Sequence, residues 1–109
     1  MPKTTKPYRS WQLDKLADPK IAANYLNASL EESPEIFLMA LGNVAHANRM
    51  SKVAKEAGVQ RETLYRSLTE QGNPTFQTLS SILSALGMRM LFVPEGAAPP
   101  RAVSPSKEL

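Results

Sequence analysis

Between Asp18 and Gly87 the chain is cut by helix-starting and helix-stopping residues at short intervals, and this punctuation limits what it can fold into more than any other feature. Asp18-Pro19 and Ser33-Pro34 each set a capping side chain before a proline at the first helical position, where the missing amide hydrogen costs nothing. Gly58 breaks the run that begins after Ser51, Gly72-Asn73-Pro74 stops the next, Thr75 caps again, and Gly87 ends the last. Apolar residues recur at helical spacing within these segments. Ile21, Ala22, Tyr25, Leu26 and Leu30 form one stripe, Phe37, Ala40, Leu41, Val44 and Ala45 a second, and Phe76, Leu79, Ile82, Leu83 and Leu86 a third. The reading is an all-α domain of five helices: 19–33, a second from Pro34, 52–57 after a Ser51 cap, 60–71, and a fifth from Phe76 to Gly87. Gly42 falls inside the second helix at a cost of roughly 1 kcal/mol against Ala, which close approach of another helix would explain.

After Gly87 the period changes. In MRMLFVP, Met88, Met90 and Phe92 alternate with Arg89, Leu91 and Val93, and both sets are largely apolar. This predicts a short C-terminal β-strand, covered on both sides or paired across a subunit interface. The domain then spans 18–93. Residues 1–17 form a basic arm in which Trp11, Leu13 and Leu16 could dock onto the core or onto a partner, and Trp11 with Tyr8 could anchor one. Residues 94–109 hold four of the nine prolines and are expected to be a disordered tail.

Several function classes are excluded. The chain of 109 residues has no cysteine, hence no disulfide, thiolate metal site or cysteine nucleophile, in keeping with a reducing, cytoplasmic setting. No apolar run approaches the roughly 18 residues of a membrane span. There is no phosphate-binding glycine loop and no nucleophile elbow, so an enzyme is not expected, nor a cofactor or metal. His46, the single histidine, reads as structural, because base catalysis needs an orienting partner. Glu31, Glu32 and Glu35 read as an exposed acidic face rather than a metal site, since adjacent acids diverge on a helix. That face could meet a basic protein. Met39, Met50, Met88 and Met90 read as core fillers.

Net charge is only +3, but it is segregated. Residues 1–20 carry +3, residues 21–48 carry −3 with no Lys or Arg, residues 49–66 carry +3, and the remainder balances. The second basic block coincides with KVAKEAGVQRETLYRSL, Lys52 to Leu68. There Ala54 is small enough for a crossing helix, and Gly58 allows a sharp turn at positive φ. Val53, Ala57, Val59, Leu64 and Leu68 are spaced to face inward. This is a helix-turn-helix pattern, in which the second helix enters the major groove. Its outward set is Gln60, Arg61, Glu62, Tyr65 and Arg66. Arg can bridge guanine acceptors, Gln can pair with adenine, Glu can accept from the cytosine amino group, and Tyr can meet a thymine methyl or a phosphate. Ser51, Lys52, Lys55, Asn73 and Thr75 are placed for phosphate. The alternative for this face is scaffold or protein contact.

At these residues the chain resembles a known family. VAKEAGVQRETLYRSL followed by GNPTFQTLSSILSALGMRM, with the lead-in DPKIAANYLNASLEESPEIFLMALGNVAHANRMS, is similar to the lambda-repressor-like helix-turn-helix domain of HigA-type probable addiction module antidotes. The resemblance covers about Leu13 to Pro94. It implies an antitoxin that binds a RelE/HigB-like ribonuclease toxin and represses its own operon at a palindromic operator, as a homodimer. Gln60 stands where the family usually has a Ser cap, and Leu68 must serve as the inward residue where many such domains use position 67. A stand-alone phage-like repressor and a protein-binding adaptor are the competing readings.

Overall fold

The computed structural model describes residues 14–97. The arm with Tyr8, Trp11 and Leu13, and the tail from residue 98, lie outside the described residues. A 3-10 turn, Lys15–Ala17, leads into α1 (Pro19–Glu32), α2 (Pro34–Ala47), α3 (Met50–Ala57), α4 (Arg61–Ser67) and α5 (Phe76–Ala85). The all-helical expectation holds, with five α-helices among the described residues.

The local signals explain most boundaries. The Asp18 carboxylate accepts from the Lys20 amide at 2.9 Å, and the Ser33 hydroxyl from the Ile36 amide at 3.1 Å. The Thr75 hydroxyl accepts from the Thr78 amide, also at 3.1 Å. Each satisfies a backbone donor that the first helical turn leaves without a partner. Gly58, at φ +75°, closes α3 with a paired C-terminal motif: its amide donates to the Lys55 carbonyl and the Val59 amide to the Ala54 carbonyl. Gly87, at φ +78°, closes α5 in the same way, through Ser84 and Leu83.

α1 packs along α2, and the 3-10 turn rests against both, which buries Leu16 in the core. α3 packs on α5, α4 and α2. Leu41, Val44, Val53, Leu64 and Ile82 are the largest fully buried side chains, so every helix from α2 to α5 contributes to one core. Gly42 allows the closest approach. A Cβ there would stand 2.8 Å from the Leu68 carbonyl oxygen, so the end of α4 sits directly on α2. Asn43 donates to the Tyr25 hydroxyl at 2.8 Å and fixes α1 against α2.

Several expectations need correction. No strand forms over Met88–Val93; Met90, Leu91, Phe92 and Val93 are exposed, Phe92 by 90%, and no backbone hydrogen bond joins residues 89–93 to other described residues. Among the described residues the segment has no second strand to pair with, and alternation alone cannot make a ladder. α3 begins at Met50, not after a Ser51 cap; Arg49, at φ +70°, occupies the cap position without a side-chain bond. α4 stops at Ser67 rather than Gln71. The chain folds back after it, the Gly72 amide donates to the Thr69 carbonyl, and a Cβ on Gly72 would run into the Ser67 carbonyl. Ile21, Leu30, Met39, Phe76 and Met90, expected to face inward, are exposed; Phe76 reaches 69% because α5 buries only its Ile82–Leu83 side and Leu86. Met50 is buried and Met88 packs against the core, as expected of core fillers.

Candidate nucleic-acid interface

The site is built on α3, the turn at Gly58 and α4. Val53 and Ala54 are buried in α3, Leu64 in α4 and Leu68 at its end, while Ala57 and Val59 pack partly against the same core. These anchors fix the rotation of α4. With Leu64 and Leu68 inward, Gln60, Arg61, Glu62, Tyr65 and Arg66 are all exposed. Ser67 is half-buried, so Leu68 does supply the inward residue. Gln60 occupies the cap position of α4 and makes no side-chain cap bond, which leaves its amide group available.

The five residues are not equivalent. Tyr65 turns back toward α2, where its ring meets the His46 ring edge-on with centroids 5.6 Å apart and planes at 61°. The Arg61 guanidinium lies over the Tyr65 ring, also 5.6 Å from its centroid. Glu62 and Arg66 have no side-chain bond among the described residues and are free to reach outward.

The residues expected to meet phosphate are also exposed: Ser51, Lys52 and Lys55 on α3, and Asn73 and Thr75 before α5. Lys52 leans toward Glu56 at 3.8 Å, one turn on, a solvent-exposed pair worth at most about 0.5 kcal/mol. The Thr75 hydroxyl is committed to its cap and to Thr78. Arg49, missed in the sequence reading, is exposed at the start of α3 beside this set, and its left-handed backbone gives no sequence signal. Beside α4, a groove of about 390 Å³ separates it from α2, lined by Asn43, His46, Met50 and Tyr65 among others.

The acidic residues Glu31, Glu32 and Glu35 are exposed at the junction of α1 and α2, away from the basic helices in sequence. Among the described residues no group of His, Asp and Glu is arranged to hold a metal, and no helix is long and apolar enough to cross a membrane.

Residues 9–94 match the family described as "Probable addiction module antidote protein". Over 66 residues the chain is 46% identical to an uncharacterized protein of Haemophilus influenzae, an alignment that covers 60% of this chain and 68% of that protein. No solved structure matches the chain.

Proposed function

The chain belongs to the probable addiction module antidote family, and from that premise we propose that it is a sequence-specific DNA-binding antitoxin that represses its own operon. One observation carries the DNA reading. The anchors Leu64 and Leu68 leave Gln60 at the cap of α4 and Arg61, Glu62, Tyr65 and Arg66 along it exposed together, directly after the Gly58 turn and beside a basic α3. In this reading the domain is lambda-repressor-like, α4 enters the major groove, and α3 crosses the backbone. Arg61, Arg66, Gln60 and Glu62 read base edges, and Lys52, Lys55, Ser51 and Asn73 hold phosphates.

Two copies pair through the exposed apolar segment Met90–Val93 and set two α4 helices in successive major grooves of a palindrome, about 34 Å apart. The partner protein is a RelE/HigB-like toxin, met by the α1–α2 half. There the exposed Glu31, Glu32 and Glu35 carry negative charge and Ile21, Leu30 and Met39 supply apolar area. Charge separation along the chain leaves each surface to one partner: negative for a basic toxin, positive for DNA. The protein acts by binding, in the cytoplasm, and performs no catalysis itself.

The test is fluorescence anisotropy on DNA from upstream of the coding sequence. Arg61→Ala and Arg66→Ala should each weaken specific binding by about 1–3 kcal/mol, and each should relax preference at one base pair. Wild-type protein that binds this DNA no better than random DNA would refute the reading. Co-expression with the adjacent reading frame tests the toxin: a complex lost on replacing all three glutamates with glutamine is expected, and retention of full affinity counts against the acidic surface.

A further inference from the structure

We propose that His46, which lies in the last turn of α2 and outside the α3–α4 pair, is a positioning residue for base readout. The inference rests on the DNA reading of α4 given above. It starts from a chain of contacts: the His46 ring meets the edge of Tyr65, and the Tyr65 ring carries the Arg61 guanidinium, each at 5.6 Å. Arg61 and Tyr65 are one turn apart on α4, so their contact is local. The contact to His46 crosses from another helix.

Three features separate this role from simple scaffolding. His46 is exposed, so its ring adds little to the core, which its neighbours Val44 and Ala45 already fill. Its imidazole makes no hydrogen bond among the described residues, so the tyrosine edge is its specific contact. Tyr65 is itself 40% exposed and would otherwise move freely at the rim of the groove between α2 and α4. Aromatic rings prefer edge-to-face geometry, and a guanidinium prefers the face of a ring, so the two contacts on Tyr65 do not compete. An arginine already stacked loses less freedom when it forms its fork of hydrogen bonds to a base. His46 therefore sets the direction of Arg61 through Tyr65 without touching DNA.

The experiment combines affinity with a readout made in the absence of DNA. In the full chain, His46→Ala should weaken binding to the upstream DNA by about three- to tenfold. The salt dependence of binding should stay unchanged. His46→Phe, which keeps an aromatic edge, should restore affinity. In the background of Arg61→Ala, the His46→Ala change should have no further effect. Multiplicative losses in the double variant, or failure of His46→Phe to restore binding, would overturn the proposal. So would a salt slope reduced by about one in His46→Ala, because that marks a direct phosphate contact. Free in solution, the Arg61 side-chain protons should show an upfield ring-current displacement that shrinks in His46→Ala; an unchanged displacement overturns the positioning role. If wild-type protein binds no DNA, the function proposed for α4 fails. The ring-current comparison then still decides whether His46 holds Tyr65 and Arg61.

Discussion

Gly42→Ala tests how α4 is held. Helix propensity alone favours the change by about 1 kcal/mol, since Gly42 lies in the middle of α2. The structure predicts the opposite sign. The new Cβ would stand 2.8 Å from the Leu68 carbonyl oxygen and 3.4 Å from the Leu68 Cβ, and ordinary contact begins at 3.4 Å. The offending atom is backbone, so no rotamer change relieves it; the end of α4 must move off α2 by about half an ångström. Overpacking of this kind costs about 1–3 kcal/mol. Set against the propensity gain, the net loss is about 1 kcal/mol, which in a domain of this size lowers Tm by about 4–8 °C. Urea unfolding followed by circular dichroism measures it, with the slope unchanged and the midpoint reduced. The displaced α4 should also weaken DNA binding more than the stability loss explains. A Gly42→Ala protein that is more stable by about 1 kcal/mol, as propensity alone gives, would refute the close packing of α4 on α2.

Other consequences follow from single positions. Gly58→Ala should destabilise by about 1–2 kcal/mol, because the left-handed turn opposes any Cβ although space is open around it; an unchanged urea midpoint would contradict the strain argument. Lys52→Gln and Lys55→Gln should each reduce the slope of log binding constant against log salt by about one with little loss of specificity, and anisotropy titrations across salt concentrations would show a constant slope if neither lysine meets phosphate. Phe92→Asp should shift a dimer toward monomer in sedimentation equilibrium without altering the helical circular dichroism; an unchanged dimer would remove the exposed C-terminal segment from the interface.

Features governed by local chemistry were legible in the sequence. Asp18, Ser33 and Thr75 cap because a short side chain reaches an amide two or three residues on, whatever the rest of the fold does. Gly58 and Gly87 end helices because each adopts positive φ at no steric cost. The inward set Val53, Leu64 and Leu68, and hence the exposed face of α4, followed from spacing. What failed was non-local. Alternation in Met88–Val93 resembles a strand, yet a strand needs a neighbour that the sequence does not name. Phe76 and Met90 are apolar, but apolarity does not say which side of a helix or segment the core lies on. Arg49 starts α3 through a backbone conformation that arginine does not advertise, and Gly72 turns the chain early because it must pass the Ser67 carbonyl. Nothing in the sequence places His46 beside Tyr65; that contact exists only once the fold brings the two rings together.

In the proposed function one face of α4, with the exposed groups of α3, reads duplex DNA. Backbone and side-chain NMR shifts recorded while titrating the protein with its upstream DNA test this most directly. The largest changes should fall on Gln60, Arg61, Glu62, Tyr65 and Arg66, with smaller ones at Ser51, Lys52, Lys55 and Asn73, while Glu31, Glu32 and Glu35 stay still. Changes centred on α1 and the acidic junction, or none at α4 under saturating DNA, would contradict it.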